Sequence, residues 1–179
     1  MPGKMTAYDT DIRVPIIVTG PQVPAERTVD EIAENVDLHP TFAELGGVTA
    51  AANVDGHSLV PLLQGQPVGE WRTIALVEHR GPHRDANDPD APAAHSGNPP
   101  TYEAIRSRTS LYVEYADGTK EYHDRLSDPD ERRNTFAALS SAEQAALSAA
   151  LAAVKGCEGA TSCWAAERPK AGRLGGIAQ

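Results

Sequence analysis

The chain has 179 residues, which suits one ordinary domain and leaves little room for a second. Hydrophobic residues make up 40% of it and charged residues 23%, the composition of a soluble globular protein. The formal net charge is -9 and no run of lysines or arginines marks a nucleic-acid face, so we expect no nucleic-acid partner. No segment approaches the roughly 18 apolar residues of a membrane span, so we expect no membrane partner.

The first part of the chain predicts one strand followed by short helices. Ile12–Thr19 is apolar, rich in β-branched residues and followed by Gly-Pro, which predicts a buried strand kinked or placed at an edge by Pro15. Thr28–Glu34 has the capping-box pattern of a helical turn. Apolar residues at helical spacing predict a helix over 38–45 that ends at Gly46. A buried strand so near the N-terminus needs neighbours on both sides, so we expect a missing partner upstream.

The second part predicts a small antiparallel sheet. Thr73–Glu78 is a strand candidate, and the proline- and Asp-rich stretch His79–Pro100 predicts a long exposed insertion. Short β-prone segments separated by turn signals then predict a meander, with strands at Tyr102–Arg108, Leu111–Tyr115 and Lys120–Asp124.

A helix follows the meander. Ser140 and Glu143 form a capping box, after which Leu147, Leu151 and Val154 make one apolar stripe that ends before a glycine. The predicted fold class is therefore α/β, an α/β edge followed by a small antiparallel sheet packed on a C-terminal helix.

Candidate chemical groups are few. Lys4, on a loop before the predicted strand, is either an anchor for an oxyanion or a solvated surface lysine. His79 and His83 have the i, i+4 spacing of metal ligands, but Gly81-Pro82 breaks any helix between them. The remaining histidines, His39, His57, His95 and His123, form no ligand pattern, and motifs of serine hydrolases, P-loops and dinucleotide sites are absent.

Cys157 and Cys163 lie close together near the end of the chain. Two cysteines alone make no structural zinc site, and their spacing is not that of a CxxC redox motif. They form either a local disulfide, if the protein is exported, or two free thiols in a reducing compartment.

Four blocks in order resemble the sulfatases. The likeness runs from about Gly3 to Trp164, and the cysteine loop is most similar to that of the glucosamine-6-sulfatase branch. The matching blocks are Gly3–Val18, Asn35–Thr41, Asp55–Leu63 and Glu121–Asn134.

The resemblance implies an alkaline-phosphatase-like fold, with residues 1–70 as the remnant of the large α/β domain. Residues 71–164 would be the C-terminal antiparallel subdomain, carrying the insertion 79–100, and residues 165–179 a flexible tail. In this family Lys4 corresponds to the lysine that contacts the substrate sulfate. The family nucleophile is a formylglycine made within Cys/Ser-x-Pro-x-Arg, a motif that neither cysteine fits.

The resemblance also implies partners and cofactors. Full-length sulfatases bind calcium through residues expected upstream of this chain and act on substrates such as sulfated sugars. We therefore expect a C-terminal portion of a sulfatase with no catalytic residue and no metal ligand of its own, inactive without the missing N-terminal half. The alternative is a non-enzymatic binding or interaction module. The first residues lack the apolar stretch of a secretory signal, so we expect no signal peptide in this chain, although full-length relatives are often exported or lysosomal.

Overall fold

The fold is built around an antiparallel sheet. A computed structural model describes residues 5–81 and 99–169. The strands are β1 (Ile74–His79), β2 (Tyr102–Ser107), β3 (Ser110–Tyr115) and β4 (Lys120–Asp124), hydrogen-bonded in that order. The helices in the described ranges are α1 (Asp9–Ile12), α2 (Leu38–Leu45), α3 (Val60–Leu63), α4 (Ser141–Lys155) and α5 (Ala160–Ala166), with 3-10 turns at Asn35–Asp37 and Phe136–Ala138.

The predicted meander is confirmed. Its strands pair in antiparallel register, with Tyr102 opposite Tyr115 and Tyr112 opposite Tyr122. The Asp-Gly signal lies in the β3–β4 turn, where Gly118 has φ +88°, a conformation that favours glycine. The strand predicted over residues 73–78 is confirmed as β1, and it joins the same sheet beside β2.

One face of the sheet packs on α4. Because side chains alternate along a strand, every second residue points to this face. The apolar stripe of α4 meets it as predicted, and the helix and strand residues are buried together. The cluster consists of Ile74, Ile105, Tyr112, Tyr122, Leu147, Ala150, Leu151 and Val154.

The opposite face is covered by the start of the described chain. Ala7 is buried against β2 and β3, and Tyr8 packs at the margin of the same group. The strand residues in this second core are Tyr102, Ala104, Leu111 and Val113. The sheet is therefore sandwiched between the C-terminal helix and the N-terminal segment Met5–Ile12.

The predicted capping box of α4 is confirmed. The Ser140 side chain accepts from the Glu143 backbone amide, and the Glu143 carboxylate accepts from the Ser140 amide at 2.8 Å. Replacing Ser140 with alanine is expected to lower the free energy of unfolding by about 1 kcal/mol, because the Glu143 amide at the helix start loses its acceptor. Urea unfolding measures the change. Ser141→Ala is the matched control, and equal losses in both variants would contradict the role of the cap.

The strand predicted at Ile12–Thr19 is wrong. α1 ends at Ile12 and the following residues are irregular and largely exposed, with Ile17 86% exposed. A β-branched run favours extended backbone, but a strand also needs a neighbouring strand for its hydrogen bonds. None of the four described strands pairs with this run.

The helical turn predicted at Thr28–Glu34 is also wrong. These residues are irregular, and the nearest helical geometry is the 3-10 turn that follows Glu34. The helix predicted over 38–45 is confirmed as α2, and it ends before Gly46. Its apolar residues face outward, with Phe42 65% exposed.

The end of the chain contains one helix that the sequence patterns did not predict. α5 follows Gly159, whose φ is +76° and whose Cα lies so close to Ala52 that an added Cβ would stand 2.5 Å from the Ala52 carbonyl oxygen. Residues 82–98 of the predicted insertion and 170–179 of the predicted tail lie outside the described residues. The domain boundary at residue 70, between the remnant of the large α/β domain and the antiparallel subdomain, stays a prediction.

Candidate functional site

The candidate site is the segment that directly follows Lys4. Lys4 itself lies outside the described residues, which begin at Met5. The Met5 carbonyl accepts a hydrogen bond of 2.9 Å from the Tyr102 hydroxyl on β2. The Tyr8 hydroxyl donates to Glu121 on β4 at 2.9 Å. Two strands of the sheet therefore bind the residues next to the lysine.

Asp9 is the most heavily contacted residue of this segment. Its two carboxylate oxygens accept from Arg106 at 2.8 Å and from Arg125 at 2.7 Å. Burial alone would raise the pKa of the Asp9 carboxyl, but the hydrogen bond and charge of Arg106, with the charge of Arg125, outweigh burial and lower the pKa. Asp9 is therefore an ionised carboxylate between two cations.

Glu131 completes this charged group, which we call the Asp9 cluster (Asp9, Arg106, Arg125 and Glu131). Its carboxylate accepts from the Asp9 backbone amide at 2.7 Å and lies 3.1 Å from Arg125 Nε. The Glu131 side chain is 2% exposed, and its backbone φ is +53°. A left-handed conformation is uncommon and costly for a residue with a Cβ, so this backbone is held in place by its surroundings.

A tyrosine–carboxylate–histidine group lies beside the Asp9 cluster. His123 is buried on β4, its Nε2 is 3.1 Å from Glu121, and its ring meets Tyr8 edge to face. The hydrogen bond from His123 is the main influence that holds the pKa of Glu121 below its ordinary value. His123 Nδ1 has no hydrogen-bond partner among the described residues. Glu121 thus links β4 to the N-terminal segment through Tyr8.

The other described histidines lie elsewhere. His79 ends β1 and stacks on Tyr102 with ring centroids 5.4 Å apart. His39 is exposed on α2, and His57 stacks on Trp164 at 3.8 Å. His83 and His95 lie outside the described residues. The structure therefore assembles no histidine cluster from the described positions.

A second charged group, the Arg72 cluster, is the most buried polar feature described. Arg72 donates two hydrogen bonds to Asp37, at 2.8 and 2.7 Å. It also lies 3.2 Å from Glu34 and 3.0 Å from Glu167. The Arg72 and Asp37 side chains are fully buried. One cation is therefore surrounded by three carboxyls from two separate parts of the chain, the turn Glu34–Asp37 and the end of α5.

Glu34 and Glu167, the two carboxyls of the Arg72 cluster that are not fully buried, hold protons more tightly than usual. Burial is the main cause, and it raises the pKa of Glu34 and the pKa of Glu167 to about 7 although Arg72 opposes the shift. Asp37 also accepts from the His57 backbone amide at 2.8 Å. The Arg72 cluster thus connects the segment before α2, the loop before α3 and the end of α5.

Sequence reasoning did not predict either charged cluster. Asp9 and Glu131 each fall within a family-like block, but nothing in the spacing showed that the first and last blocks touch. In the Arg72 cluster, Asp37 also falls within a family-like block, but no pattern indicated that it pairs with Arg72, the arginine directly before the predicted strand. Long-range pairing of charges is set by the tertiary fold, which a local pattern does not reveal.

The cysteines are joined in the structure. A disulfide links Cys157 to Cys163, with their Cα atoms 4.9 Å apart, across the start of α5. It borders the Arg72 cluster, because Trp164 follows Cys163 directly and lies beneath the guanidinium groups of Arg72 and Arg168. The pairing fixes the loop between α4 and α5.

The family resemblance implies calcium ligands upstream of this chain, and the described residues do not form a metal site of their own. No group of three or more His, Cys, Asp or Glu residues in ranges 5–81 and 99–169 is arranged to hold a metal ion. The carboxylates of the Asp9 cluster are paired with two arginines, and those of the Arg72 cluster surround one buried guanidinium. In the same ranges, no helix is both long and apolar enough to cross a membrane.

Comparison with known proteins gives a consistent result. Residues 3–155 match the family described as N-sulphoglucosamine sulphohydrolase, C-terminal. Human N-acetylglucosamine-6-sulfatase is 28% identical over 178 residues, covering 88% of this chain and 32% of the human protein. The chain thus spans about a third of the length of that relative.

Solved structures share the fold. A sulfatase-like protein from Bacteroides thetaiotaomicron superposes with a TM-score of 0.57 at 25% identity, covering 73% of this chain and 26% of that one. A phosphonate monoester hydrolase from Silicibacter pomeroyi superposes with a TM-score of 0.64 at 27% identity, covering 82% and 29%. These neighbours confirm the predicted alkaline-phosphatase-like fold class. The chain belongs to the sulfatases, as a C-terminal portion within the family defined by N-sulphoglucosamine sulphohydrolase.

Proposed function

We propose that this chain forms the C-terminal part of a sulfuric ester hydrolase acting on a sulfated sugar, and that Lys4 contacts the substrate sulfate. The observation that carries the proposal is the contact between the first and last family-like blocks, made through Asp9, Arg125 and Glu131. Blocks more than a hundred residues apart fold into one unit that carries the segment next to Lys4. The likeness to human N-acetylglucosamine-6-sulfatase supports a sulfated amino sugar as the substrate class.

The chain alone is not expected to catalyse the reaction. Sulfate-ester cleavage needs an activated nucleophile and a divalent cation for the developing charge. The 179 residues contain no Cys/Ser-x-Pro-x-Arg sequence. The nucleophile and the divalent cation would come from the remainder of a full-length sulfatase. Lys4 would supply only a point charge for the sulfate oxygens.

An exposed apolar surface supports a contact with that remainder. Val14, Ile16 and Ile17 lie on the irregular segment after α1, and Phe42 and Leu45 lie on α2. Exposed apolar patches on soluble proteins mark interaction sites, and each of these two segments exposes more than one apolar side chain. We infer that these residues pack on the large α/β domain of the complete enzyme.

The disulfide bears on where the protein works. Disulfides persist in oxidising environments and are rare in reducing cytosol. The pairing of Cys157 with Cys163 therefore supports export of the protein that carries this chain.

The test is a direct assay of the isolated chain with an aryl sulfate and with glucosamine 6-sulfate, with and without calcium. We expect no turnover above that of buffer, and the same result for Lys4→Ala. Hydrolysis that depends on Lys4 would overturn the proposal that this chain needs the remainder of a full-length sulfatase for catalysis. Saturable binding of the sulfated sugar that is unchanged by Lys4→Ala would instead favour the non-enzymatic binding module.

A further inference from the structure

We propose that the disulfide between Cys157 and Cys163 is a redox latch for the Arg72 cluster, closed when the bond is formed and open when a dithiol cleaves it. In the open state α5 leaves the cluster, and the start of β1 loses the partner that α5 provides. The latch goes beyond the proposed function and does not depend on it, because every residue that takes part lies within the described ranges.

The helix α5 depends on its attachments. It has seven residues, and isolated helices shorter than about 12 residues are marginal in water. Cys163 is the one buried residue within α5, at 1% exposed. The same residue carries the bond to Cys157, which follows the end of α4. The disulfide is therefore the covalent attachment of a helix that is too short to persist alone.

The contacts next to Cys163 lead directly to the Arg72 cluster. Trp164 stacks on His57 with ring centroids 3.8 Å apart and lies beneath the guanidinium of Arg72. One helical turn after Cys163, the Glu167 amide donates to the Cys163 carbonyl at 2.9 Å. The Glu167 carboxylate lies 3.0 Å from Arg72 Nε. A displacement of Cys163 therefore moves both the ring and the carboxyl that α5 contributes to the cluster.

The end of α5 also closes the outer edge of β1. The Glu167 carbonyl accepts from the Thr73 amide at 2.9 Å and from the Ile74 amide at 3.2 Å. β1 is an edge strand, and the amides on the free side of such a strand need a partner from outside the sheet. When α5 leaves, these two amides lose their acceptor. Their exposure to water is the local signature of the open latch.

Opening the latch is a two-electron reduction by a dithiol. Cys157 is half-buried and Cys163 is buried, so the attacking thiolate reaches the sulfur of Cys157. A bond forms between these two sulfurs while the S–S bond breaks, and Cys163 leaves as a thiolate that takes up a proton. The second thiol of the reductant then displaces Cys157 as its thiol, and the reductant becomes a cyclic disulfide. Two electrons and two protons pass from the dithiol to the chain.

The effect of reduction is local. The two cysteines are six positions apart, and a short loop restricts the unfolded chain less than a long one does. The buried core between the sheet and α4 includes no residue of α5. Reduction therefore leaves the sheet and α4 folded while it releases α5. Because disulfides persist in oxidising environments, the Arg72 cluster is complete only in such a compartment.

The first measurement is amide hydrogen exchange by NMR on the whole chain, with and without dithiothreitol. We expect exchange at Thr73 and Ile74 to accelerate by about tenfold or more in the reduced chain and to recover on reoxidation. The Thr135 amide is the matched control, since it binds the Tyr122 carbonyl at 2.8 Å beside β4, the strand at the other end of the sheet. Its exchange should not change.

Tryptophan fluorescence gives a second reading of the same region. The chain has two tryptophans, Trp71 and Trp164, and their ring centroids lie 5.0 Å apart beside the Arg72 cluster. Reduction should therefore increase the quenching of the fluorescence by acrylamide. Cys157→Ser removes the bond and keeps the buried Cys163 thiol. This variant should show the values of the reduced chain both with and without dithiothreitol.

The coupling must also act in the reverse direction, because linkage between two sites is reciprocal. Gly159→Ala disturbs the start of α5 without touching the disulfide, since the added Cβ would stand 2.5 Å from the Ala52 carbonyl oxygen. The equilibrium constant for reduction by dithiothreitol should increase by about tenfold in this variant. Gly69→Ala is the matched control, because a Cβ at Gly69 meets no atom within 4 Å.

Two results would refute the latch. Unchanged exchange at Thr73 and Ile74 in the reduced chain would show that α5 stays in place without the disulfide. Equally faster exchange at Thr135 and at Val113 on β3 would show that the bond stabilises the whole chain rather than this corner. If Gly159→Ala fails to fold, the wild-type chain with and without dithiothreitol decides the matter. Either result leaves the proposed function intact, because neither measurement uses a sulfated substrate.

Discussion

Replacing Arg72 with methionine is expected to lower the free energy of unfolding by about 3–5 kcal/mol, the cost of leaving a buried charge without its partner. The guanidinium is the one cation within the Arg72 cluster, where it faces Asp37, Glu34 and Glu167. Methionine fills similar volume, so the loss would reflect charge rather than a cavity. Denaturant unfolding at neutral pH, in a wild-type and variant pair, gives the difference.

Arg80→Met is the matched control for this prediction. Arg80 also contacts two carboxylates, Glu78 and Glu103, but its side chain is 61% exposed. Exposed ion pairs contribute about 0–1 kcal/mol, so this variant should stay close to wild type. A loss of less than about 1 kcal/mol in Arg72→Met would contradict this prediction. It would show that the carboxyls of the Arg72 cluster become neutral by taking up protons and need no cation.

The free energy of unfolding should increase as the pH falls from about 7.5 to about 5. The pKa of Glu34 and the pKa of Glu167 are about 7 in the folded chain, against an ordinary value of 4.5. Between these values the folded chain binds more protons than the unfolded chain, so acid favours folding. We expect a gain on the order of 2 kcal/mol. This is less than the two pKa shifts would give if they acted independently, because the carboxyls are coupled and partly screened by solvent.

A double variant, Glu34→Gln with Glu167→Gln, isolates this effect. His57 opposes it, because burial lowers the pKa of His57 and its protonation favours the unfolded chain below about pH 6.5. His57 is present in both proteins, so the difference between their unfolding curves at each pH reports the two carboxyls. The gain should disappear in the double variant. The same acid gain in both proteins would assign the pH dependence to other groups.

The antiparallel sheet and its helix were predictable because their signals are local. Alternating residues in β2 to β4, the Asp-Gly turn and the Ser140 capping box each act over a few residues. The run at Ile12–Thr19 carries an equally local signal and was predicted wrongly. Its composition favours extended backbone, but a strand depends on a neighbour, and propensity does not supply one.

The candidate site was only partly accessible from sequence. The resemblance pointed to the block Gly3–Val18, which contains Lys4, and to the block Glu121–Asn134, yet it gave no reason for the two blocks to meet. The bonds that join them connect Asp9 to Arg106, Arg125 and Glu131. Such pairs depend on the order and register of the strands between them, which is a property of the whole fold.

The bond from Asp9 to Glu131 also has a consequence for synthesis of the protein. The two residues are 122 positions apart, so Glu131 leaves the ribosome roughly 6 to 25 s after Asp9 at 5–20 residues per second. Until then the N-terminal segment has no sheet to dock on, and the apolar run that includes Ile16 and Ile17 emerges with it. The nascent chain therefore leaves Ala7 and the sheet residues that it covers unburied until the chain has been made as far as Glu131.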